Sequence, residues 1–291
     1  MVDIQTQLEA ALQDAQAGRF PAAESKLVAL LKTPLSDNDT ATIQGILGAV
    51  YASMDDHPAA ARELARAAAR NPDDPSIQSN LCNCLTQTGD LDAAIAAGRA
   101  ATALNPGFAE AHNNLGNALK ATGDLDSAVQ SYRHALQINP GYAVAHNNLG
   151  LALFAGGDLP GAAASYRLAL EHRVDYAAAH GNLADAYRGM GDLDTALACC
   201  DRALQLRPDL AEGHRNKAVV LRDRGEIEKA LESYRTALEL APGYEGAVKG
   251  LGETLMEAGR HAEGLDVLAH TFGVIRFEAG TGVSVDFGGA V

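Results

Sequence analysis

Ala111-His112-Asn113-Asn114-Leu115-Gly116 returns unchanged as Ala145-His146-Asn147-Asn148-Leu149-Gly150, 34 positions later. The same step leads on to AHGNLA from Ala179 and GHRNKA from Gly213, and back to IQSNLC from Ile77. Prolines keep the step at Pro72, Pro106, Pro140, Pro208 and Pro242, with Val174 in the one slot that lacks proline. Glycines keep it at Gly89, Gly123, Gly157, Gly191, Gly225 and Gly259; Gly18 and Asp55 hold that slot in two fainter early copies. A fixed step of this length marks a small unit stacked many times. Eight units follow, near residues 4–37, 41–74, 75–108, 109–142, 143–176, 177–210, 211–244 and 245–272. The first step is 37, so about three residues are inserted near Pro34–Asn38.

Each unit reads as two helices. In the fourth, Ala111, Leu115, Ala118 and Leu119 form an apolar stripe at helical spacing. Gly123 permits a left-handed turn, and Asp124 follows at a helix start, where a carboxylate suits the exposed N–H groups. Leu125, Ala128, Val129, Tyr132, Ala135 and Leu136 form the second stripe, which Pro140 ends. A pair this small cannot bury its own apolar face, so it must stack on its neighbours.

Leu115-Gly116, Ala128, Tyr132, Ala135 and Pro140 at this period resemble the tetratricopeptide repeat pattern. The resemblance covers roughly residues 4–272. His112, His146, His180 and His214 stand where that family often carries Trp, and the last unit has Gly264 in place of the usual Ala. The fold expected is all-α: a right-handed superhelical solenoid of about eight helix pairs over residues 1–272, with a short hairpin-like tail at 273–291. In that tail Gly273–Glu278 and Val283–Phe287 read as two strands around a glycine turn. Ile275 and Phe277 are expected on one face; Val283, Val285 and Phe287 on another. The tail can cover the last helix, offer an edge to a partner, or be the stub of a longer protein.

Composition narrows the function. Hydrophobic residues make up 47%, enough for a core, while aromatics are 5% and Trp is absent. With 23 basic and 37 acidic residues, the net charge of −14 gives no bulk attraction for nucleic acid or anionic membrane. No apolar run reaches membrane-spanning length, and the first residues carry no secretory pattern, so a cytoplasmic location is expected. No GxSxG, GxxxxGK[ST] or HExxH occurs, and no enzyme activity, cofactor or metal is expected. The four in-register histidines repeat at too wide a pitch to share an ion. Cys82, Cys84, Cys199 and Cys200 read as small hydrophobes in the core.

One recurrence is not plainly structural. Asn80, Asn114, Asn148, Asn182 and Asn216 occupy one slot in five consecutive units, although asparagine is a mediocre helix-interior residue. The units resemble the tetratricopeptide domain of the nucleocytoplasmic O-linked N-acetylglucosamine transferases. That resemblance implies a concave wall of first helices, in which the asparagine row grips the backbone of a substrate protein. Neighbouring candidates are Asn113, Asn147 and Arg215 one residue back, Asn117 and Asp185 three on, and Lys120, Phe154, Arg188 and Arg222 six on. Glu9, Ile46 and Gly250 interrupt the row in the outer units. The arginines at one end would favour an acidic stretch in the ligand. Ser79, Asn113, Asn147 and Gly181 leave no lysine where related domains clamp a C-terminal carboxylate.

Three origins of the row stay open: groove binding, hydrogen bonding between repeats, and copying by duplication. The function expected is a non-catalytic scaffold for a protein or extended peptide. The alternatives are the substrate-recruiting arm of a glycosyltransferase-like enzyme whose catalytic part is elsewhere, and self-assembly as a homo-oligomer through the terminal repeats. No catalytic domain follows in the 19 residues after the last repeat, so the transferase activity is not carried over.

Overall fold

A computed structural model describes residues 4–272, 274–278 and 282–286. The chain divides into two compact units, residues 1–156 and 157–291. The first holds α1 (Ile4–Gln16), α2 (Phe20–Leu30), α3 (Asp37–Ser53), α4 (His57–Arg70), α5 (Pro75–Thr88), α6 (Leu91–Leu104), α7 (Ala109–Ala121), α8 (Leu125–Ile138) and α9 (Ala143–Ala155). The second holds α10 (Leu159–His172), α11 (Ala177–Gly189), α12 (Leu193–Leu206), α13 (Ala211–Asp223), α14 (Ile227–Leu240), α15 (Glu245–Glu257) and α16 (His261–Phe272). Within each unit successive helices pack on one another, and the first helices also touch at α3–α5, α5–α7, α7–α9, α11–α13 and α13–α15. Among the described residues no helix is long and apolar enough to cross a membrane.

The turns inside the pairs are set locally. Gly123 has φ +84°, which costs an L side chain steric strain. The six other glycines of that slot share the sign, and Asp55 at φ +65° is the one non-glycine residue to do so among those described. The next residue caps the second helix. Asp90, Asp124, Asp158 and Asp192 accept from the backbone N–H of Ala93, Ser127, Gly161 and Thr195. The bonds from Ser127 and Thr195 hold the Asp124 and Asp192 carboxyls below their usual range. The inserted residues of the first step become helix: α3 starts at Asp37 with Ser36 as its cap and runs 17 residues against 13 in α7.

Packing inside a pair follows exchange of size. A Cβ on Gly116 would lie 2.6 Å from the Tyr132 ring, so glycine lets the buried tyrosine close. In the third pair the sizes reverse: Cys82 fills the first helix and Gly98 faces it from the second, where a Cβ would lie 2.9 Å from the sulfur. In the seventh pair Ala218 leaves less room for Tyr234, and Gly250 of the next helix supplies it. Gly250 is the residue that ends the asparagine slot, so the row stops there for a packing reason. Burial pushes the thiols up, Cys82 and Cys200 to about 12 and Cys84 and Cys199 to about 11.

Beyond α16 the chain forms β1 (Val274–Glu278) and β2 (Gly282–Asp286), paired antiparallel. The register sets Ile275 opposite Val285 and Phe277 opposite Val283. The two apolar sets expected on separate faces therefore stand at directly opposed register positions. Phe287 lies outside the described residues.

Candidate functional site

The asparagine row lies on the first helices, one residue before a buried leucine: Leu81, Leu115, Leu149 and Leu183. That position is half-turned to the core, and at Asn114 and Asn148 the amide meets the preceding repeat. Asn114 Nδ2 donates to the Ser79 carbonyl at 3.3 Å and to Ser79 Oγ at 3.0 Å. A carbonyl can only accept, which fixes the orientation of the amide. Asn148 Nδ2 donates to Asn113 Oδ1 at 3.0 Å and Asn117 Oδ1 at 3.1 Å, and Asn117 Oδ1 also receives the Tyr132 hydroxyl at 2.8 Å. Asn216 Oδ1 receives Arg215 at 2.9 Å.

The row is thus not the uniform set of donors and acceptors that its spacing suggests. Asn114 and Asn148 keep their Oδ1 atoms unbonded but not sealed from solvent, so they offer acceptors. Asn216 keeps Nδ2 and offers a donor. Asn80 has no partner among the described residues and offers both. Asn182 is half-buried and already engaged, and Asn147 is buried and engaged. Asn113 and Asn117 face the next repeat as acceptors.

Charge is paired along this face. Arg188 meets Asp223 at 3.2 Å and Asp185 at 3.9 Å, and Arg222 meets Glu253 at 3.5 Å. These carboxylates offset the arginines that were expected to draw an acidic ligand. Burial raises the Asp185 pKa against the opposing pull of Arg188 and Arg215. Lys120 is half-buried, and burial lowers its pKa. Phe154 is half-buried on α9. In the second unit a cleft of about 350 Å³ lies among α12, α13 and α14. Its lysines are also paired, Lys217 with Asp201 and Lys229 with Glu226, both at 2.7 Å.

The histidines have a role that sequence reasoning missed. His112, His146 and His214 place Nε2 at 3.0, 2.8 and 2.9 Å from the carbonyls of Pro106, Pro140 and Pro208. Each fastens the turn that enters its own repeat. His180 bonds the backbone at Val174 in the same way, so the loss of proline there leaves the latch intact. The signal was the constant interval of six between proline slot and histidine. Also missed was Gly45, which holds in α3 the slot that Gly181 holds in α11.

Models described as "Tetratricopeptide repeat" match residues 175–243 and 221–271, and one described as "TPR repeat" matches 83–123 and 116–155. Together they span more than half of the chain. No curated protein matches it in sequence. Among solved structures, a tetratricopeptide repeat protein from Parabacteroides merdae is similar with a TM-score of 0.69 at 16% identity, over 87% of this chain and 98% of its own. A chain of the APC/C hetero-tetramer Cut9-Hcn1 gives 0.67 at 18% identity, over 85% of this chain and 52% of that one. This chain therefore spans about half the length of the latter. A thermophilic TPR protein from Thermus thermophilus gives 0.55 at 27% identity, over 62% of this chain and 98% of its own. At 16% and 18% identity the first two show likeness of fold alone.

Proposed function

The chain belongs to the tetratricopeptide repeat family, and on that premise we propose that it is a non-catalytic scaffold holding an extended polypeptide along the face of its first helices. Repeats of this family build protein–protein interaction surfaces. The observation that carries the finer reading is the set of open amide atoms at one slot in the first unit: both ends of Asn80 and Oδ1 of Asn114 and Asn148. A peptide unit brings one N–H and one C=O, and each finds a complement there whatever side chains the ligand carries. The same mode of grip is what the sequence resemblance to the O-linked N-acetylglucosamine transferase repeats implies.

Magnitudes limit what the row does alone. A net hydrogen bond contributes about 0.5–1.5 kcal/mol. A handful gives a few kcal/mol, against about 8 for micromolar binding. Side-chain contacts beside the row must supply the rest.

The test compares proteins captured from lysate by the wild type and by Asn80→Ala. This substitution breaks no hydrogen bond among the described residues. Capture is expected to weaken by about 2- to 12-fold for partners read through the row. Equal recovery on both baits, with unchanged thermal melts, would remove this face from partner binding.

A further inference from the structure

In two places the residue before the row reaches forward to the next repeat. Ser79 Oγ accepts from Asn114, and Asn113 Oδ1 accepts from Asn148. At Gly45 and Gly181 that side chain is missing, and each glycine borders an opening. The two openings are built from equivalent positions four repeats apart: Gly45, Ile77 and Asn80 in one answer to Gly181, Gly213 and Asn216 in the other. The second holds only about 40 Å³, and Asn216 beside it is already bound by Arg215. The first holds about 220 Å³.

The chemistry of the first opening is specific. Ile46 and Ala49 of α3 and Ile77 of α5 make its wall aliphatic, and Asn80 lines it with an unpartnered amide. Asp74 borders it but is committed, capping α5 through the N–H groups of Ser76 and Ile77 at 2.8 and 3.2 Å. Its charge repels an acidic side chain. An apolar cavity of about 150 Å³ admits benzene, so this notch has room for a branched aliphatic side chain.

We propose that the Gly45 notch is the specificity pocket of the peptide-binding face. It takes one uncharged, leucine-sized side chain of an extended polypeptide, while Asn80 pairs with the backbone N–H and C=O beside it. This rests on the scaffold reading above and adds a side-chain preference that the asparagines alone do not give. Where the slot is filled, as at Ser79 and Asn113, the amide serves the protein. Where it is glycine and the notch is roomy, the amide is free to serve a ligand.

Gly45→Ser tests this by copying the Ser79 arrangement. A Cβ at Gly45 would lie 3.3 Å from Ile77 Cγ1, which asks a few tenths of an ångström of that side chain, and serine is a better helix former than glycine. Backbone amide NMR on the full chain would follow N-acetyl-leucine-N-methylamide and its glycine analogue. Shifts at Gly45, Ile46, Ile77 and Asn80 are expected with the leucine probe, to be about tenfold weaker or more with the glycine probe, and to vanish in Gly45→Ser. Ser79→Gly should open a second such site beside Asn114. If Gly45→Ser fails to fold, Asn80→Ala carries the same comparison. Persistence of the shifts in a folded Gly45→Ser, or equal response to both probes, overturns the proposal. So does a wild-type dimer that Gly45→Ser abolishes, since a second copy would then own the notch. Random peptides of about a dozen residues separate the two readings. Equal binding by wild type and Gly45→Ser sinks the notch alone, whereas no binding to the first-helix face of either sinks the scaffold reading too.

Discussion

In the first unit the first helices α7 and α9 are tied by neutral amides; in the second unit α11–α13 and α13–α15 are tied by ion pairs. Asn113–Asn148 and Asn117–Asn148 span 35 and 31 positions. Arg188–Asp223 and Arg222–Glu253 span the same 35 and 31. The helix stack thus fixes which positions meet, and two chemistries have been placed on one geometry. The amide ties carry no net charge and should ignore salt and pH. The ionic ties are a third or so exposed, where screening and side-chain entropy leave them little net worth.

Breaking the amide tie should have the largest effect. Asn148→Ala leaves the buried Asn113 oxygen without its donor, and a loss of about 1–3 kcal/mol is expected. Urea unfolding at low and high salt should give the same loss; a salt-dependent value would contradict the neutral tie. Tyr132→Phe removes one bond to Asn117 and should cost about 0.5–1.5 kcal/mol. Arg222→Met in the other unit should cost at most about 1 kcal/mol, fading in concentrated salt. The double change Arg188→Asn with Asp223→Asn sharpens the comparison by installing the amide pair at the 35-residue offset. Salt dependence of the second unit, followed by hydrogen exchange, should then fall.

Asp185 gives the smallest and most directional effect. Its folded pKa is raised, chiefly by burial, so folding favours the protonated form. The contribution is favourable below the unfolded pKa and is lost as pH rises through the folded value. Asp185→Asn should therefore raise the melting temperature at neutral pH and leave it unchanged in acid. A lower neutral-pH melting temperature would show that its partners Arg188 and Arg215 outweigh burial.

Most of the helix architecture was legible because its determinants are local. A glycine slot followed by aspartate names a turn and a cap within two residues, and Tyr132 announces its burial by its place in the apolar stripe. The partners of the asparagines were not legible. Whether Asn114 donates inward or outward depends on Ser79, 35 positions away, and on the rotation of two helices. Gly45 was overlooked for a related reason: an absent side chain has no pattern of its own until Ile77 and Asn80 are brought beside it. The tail's strands could be read from alternation, but their register could not.

Consider, finally, where the amide bonds sit. Asn148 binds Asn113 and Asn117 of the repeat before it, never its own. A single repeat cut out at its prolines would carry one half of each bond at either end. The portable module for building new arrays from this chain is then the seam, two adjoining first helices with their asparagines, and chimaeras should be spliced through the middle of a pair and not at its border.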